Sequence, residues 1–443
     1  LNALLTVVAL GASWNTVRTG DRPRQYLALM LLLSTGMQGV FLATNLFLFY
    51  VFWELMLVPA YLLVGSFGGP RRAYAAIKFV LYTAVGSLLM LVGLIALGAV
   101  ASNAFHMAYT LDLSALNAAH ITTLARDVQI PLFLAFAAAF AVKSGLFPLH
   151  SWVPDTYSEA PVAVVVLVAG VMAKTGAYGF VRFCIALFPT AARELTGLMS
   201  VLAVIGILYF ALQALVAQDF KRLLAYVSIS HMSVIILGLF ALNTQGIEGG
   251  IVQMVNHGII IAALFLIAGY IESRTGSRTL ADFGGLATRL PWLATVFMIA
   301  ALSALGLPGL NSFAGEFLAF LGVFRASVLY GVLGTLVVIP AAWYMLRFFQ
   351  GVMEGQPIEP TPVAETAATT ATSARGDRRK QGVAARIPDL RLGEFVVLLP
   401  LLALIFYFGV APGVLTSRLE RTVLGIPPIS APAQPQQSTV HNP

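Results

Sequence analysis

The chain has 443 residues, of which 59% are hydrophobic and only 10% charged, with a mean hydropathy of +0.87. An ordinary soluble domain carries about 25% charged residues, so a solvated enzyme surface is excluded. The formal charge of +7 is no mark of nucleic-acid binding, because most of the basic residues lie in the connections between apolar segments.

In chain order, twelve membrane spans are predicted, at roughly 2–16, 26–43, 44–66, 77–100, 130–153, 161–188, 197–217, 223–243, 248–271, 291–324, 328–350 and 393–413. Stretches such as 162–188 and 251–270 match the ~20 apolar residues that cross a bilayer. In lipid only helices and closed barrels satisfy their own backbone, and the two-residue alternation of a barrel is absent. The expected fold class is therefore an all-α polytopic membrane bundle. Leu1 lies inside an apolar segment with no initiator Met, which reads as a fragment lacking earlier spans.

The charges between spans supply an orientation. Arg18, Arg22 and Arg24 follow span one, Arg71, Arg72 and Lys78 span three, Lys221 and Arg222 span seven, and Arg274, Arg278 and Arg289 span nine. A further basic group, from Arg347 to Arg391, follows span eleven. Each of these connections follows an odd-numbered span, so all face one side. The other side holds only Arg126, Arg182, Arg193, Arg325, Arg418 and Arg421. The positive-inside rule makes the first side cytoplasmic; the expected location is the cell inner (plasma) membrane.

The expected domain division is an N-terminal span and loop (1–25), two five-helix units (26–190 and 197–350) and a last membrane helix (394–413). The Pro/Ala/Thr/Arg-rich segment 354–393 and the Pro/Gln-rich tail 426–443 are expected to be disordered.

Cys184 is the only cysteine. It cannot form a disulfide framework, and a cysteine-ligated iron–sulfur cluster needs about four thiolates. No Gly-rich nucleotide loop is present. No redox cofactor, NADH site or metal site is expected in this chain.

Six ionisable residues fall well inside the spans: Glu54, Lys143, Lys174, His231, His257 and Glu316. Each charge at such a depth costs about 2.5–3.5 kcal/mol on insertion scales. Static pairing that fixes helix packing explains one or two of them; six point to an ion or proton pathway. The residue types suit a relay. Burial and a neighbouring carboxylate pull a lysine's proton affinity in opposite directions, and imidazoles titrate near neutrality.

Pro59, Pro148 and Pro308 lie near Glu54, Lys143 and Glu316 and remove the amides that would bond the carbonyls of Leu55, Ser144 and Ala304. They predict interrupted helices, tolerated in membranes where the backbone lines a wet or protein-filled cavity; ordinary packing kinks are the alternative. Glu54 precedes Lys143 at nearly the spacing by which His231 precedes Glu316. That hints at two five-helix repeats, which an odd number of spans per unit would make inverted.

Several segments carry a resemblance: 52–61 (FWELMLVPAY), 141–161 (AVKSGLFPLHSWVPDTYSEAP), 170–183 (GVMAKTGAYGFVRF), 223–232 (LLAYVSISHM), 253–258 (QMVNHG) and 306–317 (GLPGLNSFAGEF). Together they resemble the antiporter-like subunits of respiratory complex I over most of residues 1–350. Glu in place of Lys at 316 is the pattern of the chain M branch. The resemblance implies a fourteen-helix subunit of a proton-translocating NADH:quinone oxidoreductase, here lacking about two N-terminal helices. It implies that Glu54 and Lys143 form the modulating ion pair, that Lys174, His231 and His257 carry protons laterally, and that Glu316 stands at the exit side. It implies no catalytic residue in this chain; NADH, FMN, iron–sulfur clusters and quinone would sit in partner subunits, and neighbouring antiporter-like subunits would be its contacts. Gly145 stands where the family often has Pro, Tyr157 where His is common, and Ser233 where Gly is usual. A subunit of a multi-subunit cation/proton antiporter, a membrane subunit of an energy-converting hydrogenase and a proton-inactive scaffold are the competing readings.

Overall fold

The computed structural model describes residues 1–14, 22–356 and 388–424. Arg18, most of the segment 354–393 and the tail 426–443, with the expectations attached to them, lie outside the described residues. The helices, in order, are α1 (Asn2–Ala12), α2 (Pro23–Leu42), α3 (Leu46–Leu55), α4 (Leu57–Phe67), α5 (Arg72–Phe105), α6 (Leu113–Ala118), α7 (Arg126–Ser144) and α8 (Trp152–Glu159). Next come α9 (Val162–Leu167) and α10 (Ala173–Gly179), separated by a π-helical turn at Val168–Met172, with a second at Phe180–Ile185. The rest are α11 (Pro189–Val216), α12 (Phe220–Leu239), α13 (Thr244–Thr275), α14 (Pro291–Ala304), α15 (Asn311–Ala326), α16 (Val328–Thr335), α17 (Val338–Met353), α18 (Leu392–Val410) and α19 (Gly413–Leu424).

Ten helices among the described residues are long and apolar enough to cross a membrane. With the shorter α1 and the α14–α15 pair, they account for the twelve predicted passes. The predicted span 291–324 is two helices, α14 and α15, joined by a non-helical link that contains Pro308, where the sequence predicts an interruption. The Leu46–Phe67 span, by contrast, is interrupted only at Met56, three residues before Pro59, so that proline marks a kink rather than a full break.

Burial sorts the bundle into a centre and a rim. The most apolar windows of Val162–Ile185, Phe220–Leu239 and Thr244–Thr275 are 89%, 89% and 83% buried, against 22% for Val328–Met353 and Leu392–Val410. The rim helices turn large apolar side chains outward, among them Leu42, Val216, Ile339 and Val410, a surface suited to acyl chains. Small residues set the closest helix approach. A Cβ on Gly249 of α13 would lie 2.1 Å from the Ala319 amide nitrogen of α15, so these two backbones touch in the manner of small-residue membrane interfaces.

The two broken helices stop the same way. At the end of α7, Gly145 (φ +71°) donates to Val142 O and Leu146 to Ala141 O. At the end of α14, Gly306 (φ +69°) donates to Ser303 O and Leu307 to Leu302 O. Both are Schellman stops, which need a left-handed residue that glycine supplies without strain. Each is followed by proline, at Pro148 and Pro308, which prevents the helix from resuming.

Candidate proton pathway

Lys143 occupies the last turn of α7, against the Schellman stop, and is 2% exposed. The carbonyl end of a helix carries partial negative charge, which favours an ammonium there. Its Nζ lies 4.8 Å from the centroid of the Trp53 ring, a cation–π contact from the residue beside Glu54. The half-buried Glu54 carboxylate is within electrostatic reach. The two predicted partners thus stand near each other across α3 and α7, but among the described residues they form no direct ion pair.

Lys174 lies on α10, between the two π-helical turns, and is 3% exposed. Its Nζ donates to the Ala169 carbonyl at 2.5 Å, within the first π turn. Single π turns inside α-helices frequently mark functional sites. This segment packs directly on α7; a Cβ on Gly176 would meet Ser144 Oγ at 2.3 Å.

His257 of α13 is within electrostatic reach of both Lys174 and His231. Its ring stacks on His231 of α12 with centroids 5.4 Å apart and planes at 11°. Both ring nitrogens of His257 are buried without a hydrogen-bond partner. His231 Nδ1 reaches Glu316 Oε1 at 2.8 Å. Five of the six predicted residues stand on α7, the α9–α10 span, α12, α13 and α15, around the bundle centre; Glu54 approaches Lys143 from α3.

The Glu316 environment holds residues that the sequence reading passed over. Gln253 Nε2 donates to Glu316 Oε1 and to Ser312 Oγ, both at 2.8 Å, and Ser312 Oγ lies 3.1 Å from the same carboxylate oxygen. Below it, Asn256 Nδ2 donates to the Asn311 carbonyl at 2.6 Å and Ser303 Oγ to Asn311 Oδ1 at 2.6 Å. This last set ties α13 to both halves of the broken helix.

A second overlooked group lies at the end of the bundle where the basic connections gather. Asp155 and Glu159 of α8 are 6% and 3% exposed. Asp155 pairs with Lys78 at 2.8 Å and with Arg222. Glu159 pairs with Arg71 at 3.6 Å and Arg278 at 3.9 Å and accepts the Arg71 amide. Lys221 and Arg278 reach Glu272. The signal was present as two carboxylates following the Pro148 break. Of the three departures, Tyr157 is buried, and Ser233 Oγ turns back to the Ile229 carbonyl at 2.9 Å.

Residues 43–339 match the family model described as NADH:quinone oxidoreductase/Mrp antiporter, TM. The chain is 37% identical to NADH-quinone oxidoreductase subunit M of Rhodobacter capsulatus, covering 96% of this chain and 78% of that one. It is 40% identical to the subunit of the same name from Mycobacterium tuberculosis, over 89% of this chain and 68% of that one. Among solved structures, it is similar to a chain of respiratory complex I from Thermus thermophilus with bound NADH, with TM-score 0.82, 32% identity, and coverage of 97% and 84%. A chain of the Mrp complex from Dietzia sp. shares the fold, with TM-score 0.78 at 24% identity over 96% of this chain and 82% of that one.

Proposed function

Because the chain belongs to the NADH:quinone oxidoreductase/Mrp antiporter membrane family, we propose that it is a proton-translocating membrane subunit of an NADH:quinone oxidoreductase. Its own residues move protons, and the redox chemistry, with NADH, FMN, iron–sulfur clusters and quinone, resides in partner subunits. The observation that carries the reading is the placing of Lys174, His257, His231 and Glu316 in spatial order across the bundle centre, ending in the 2.8 Å His231–Glu316 contact.

Glu54 and Lys143 are assigned as the loading pair. Their approach or separation changes how strongly the ammonium holds its proton, by the balance of desolvation and Coulomb attraction. Lys174 receives the proton, the two imidazoles relay it, and Glu316 accepts it. The breaks after Lys143 and before Glu316 put free backbone carbonyls beside these groups, where water can be held. The end of the bundle bearing Arg71, Lys78, Lys221, Arg222 and Arg278 is assigned to the cytoplasm, and the membrane to the bacterial inner membrane.

The test is Lys143→Ala in the intact assembly, reconstituted in vesicles. Pumping is expected to fall severely and coupled electron transfer to slow. A normal ratio of protons to electrons in that variant overturns the proposal and leaves a static scaffold.

A further inference from the structure

The Glu316 carboxylate is held asymmetrically. His231 Nδ1, Gln253 Nε2 and Ser312 Oγ all fall on Oε1, at 2.8, 2.8 and 3.1 Å. Among the described residues no donor reaches Oε2. That oxygen points at the α14–α15 break, where a Cβ on Gly306 would lie 3.0 Å from it. Three donors on one oxygen suit an anion and oppose a hydroxyl there, because the Gln253 amide nitrogen has no lone pair to accept the new hydrogen.

Beside this carboxylate is a cavity of about 20 Å³, above the roughly 10–15 Å³ that one water requires. Its lining includes Ser230, His231, Glu316, Val337, Ala341 and Tyr344. Two backbone interruptions meet there. One is the α14–α15 break, which contributes Ala304 and Leu305. The other is the gap between α16 and α17, where Pro340 lacks the amide that would bond the Leu336 carbonyl. Tyr344, 1% exposed, turns toward this space within electrostatic reach of Glu316. Buried tyrosine hydroxyls usually find a hydrogen-bond partner, and a space where Ser230, His231, Glu316 and Tyr344 meet between interrupted helices is where a membrane protein can keep a water.

We infer that Glu316 discharges through Oε2 into a one-water compartment lined by Tyr344, while Gln253, Ser312 and His231 hold Oε1 as the anionic end. The inference rests on the proton-translocating reading and specifies one step of it. The proton that His231 gives to the carboxyl is carried to the Oε2 position as the carboxyl turns about its Cγ–Cδ bond; the O–H bond there breaks, and the proton passes to the cavity water as hydronium, stabilised by the Tyr344 oxygen. The hydronium then gives up a proton on the exit side and is restored to water. Glu316 is left as a carboxylate whose charge is met by the three donors. Tyr344 and Gln253 act as positioning residues in this step.

The experiment uses the complete purified assembly in vesicles carrying Tyr344→Phe, Ala341→Val or Glu316→Gln. Pumping is measured with infrared difference spectra of the carboxyl C=O stretch, and the band lost in Glu316→Gln is the Glu316 signal. Tyr344→Phe removes one oxygen, and Ala341→Val fills the cavity. Both are expected to slow coupled turnover on the order of tenfold, less than the ~10²–10⁴-fold of a lost proton-transfer group, because they disturb only the placing of the water. Tyr344→Phe is also expected to shift the Glu316 band, which a purely packing role would not do. If Glu316→Gln abolishes pumping while Tyr344→Phe pumps normally with an unshifted band, the one-water step is overturned and the wider reading stands. If Glu316→Gln pumps normally, both fall. Should Ala341→Val fail to assemble, Tyr344→Phe alone decides.

Discussion

The imidazoles of His231 and His257 lie almost parallel, 5.4 Å between centroids. Ring N–H bonds point in the plane of the ring, so two stacked imidazoles cannot donate directly to one another. A proton passing between them needs a ring rotation or a bridging water. His231 is fixed by Glu316 at 2.8 Å, whereas both nitrogens of His257 are buried and unpaired. The mobile partner is therefore His257.

That asymmetry separates a relay from a packing role. A buried polar group without a partner costs about 1–3 kcal/mol. His257→Leu, close in volume, is expected to leave the assembly as stable as the parent or up to ~1 kcal/mol more stable, while pumping is lost. Thermal melting of the purified assembly and vesicle acidification check the two halves. A variant that is destabilised yet still pumps would make His257 structural.

Much of the site was legible because charge stands out in lipid-soluble sequence. Glu54, Lys143, Lys174, His231, His257 and Glu316 each interrupt an apolar run, and the Gly145–Pro148 and Gly306–Pro308 stops are readable as turn chemistry. Gln253, Ser312 and Asn256 were not legible, since uncharged polar residues are common in membrane helices and only tertiary contact shows what they hold. Leu305, Leu307 and Leu310 keep hydropathy high through residues 291–324, so the break there is legible from Gly306 and Pro308 and not from hydropathy. Asp155 and Glu159 look like loop charges on the page and become buried only when α8 packs against α5 and α12 under the basic connections.

Asp155 joins Lys78 on α5 and Arg222 on α12 to the half-helix that follows the Lys143 break. Asp155→Asn leaves two cations facing each other. A fully buried pair broken this way costs about 3–5 kcal/mol. Because the Lys78 and Arg222 side chains retain 21% and 35% exposure, about 1–3 kcal/mol is expected. Hydrogen exchange should show the loss as faster opening of Trp152–Glu159 amides, with the α2 amides unchanged. Unaltered exchange at α8 would mean that the pairs do not hold it.

Two glycines make opposite predictions under the same substitution. The Cβ of Gly249→Ala would collide with the α15 backbone at 2.1 Å, forcing α13 and α15 apart. The cost is about 1–3 kcal/mol or more, and the His231–Glu316 geometry would be lost with it. Gly351→Ala on α17 meets nothing within 4 Å and should gain about 0.5–1 kcal/mol from helix propensity. Melting temperatures of the two variants in detergent give the comparison. Similar behaviour of both would contradict the close α13–α15 contact.

Asn311 sits at the first residue of α15, where it accepts the Ser303 hydroxyl at 2.6 Å from across the break. Ser303 and Asn311 are both fully buried. Asn311→Leu therefore strands the Ser303 donor in an apolar setting, at about 1–3 kcal/mol. Adding Ser303→Ala removes that stranded group, so the double variant should be less destabilised than the sum of the singles. Neighbours that share a hydrogen bond show such coupling at 0.5–3 kcal/mol, whereas independent sites add within about 0.5 kcal/mol. A thermal-melt cycle of the parent, the two singles and the double measures it. Additive losses would show that α14 and α15 are not clasped through this pair, and that the geometry presenting Glu316 to His231 is set by α13 alone.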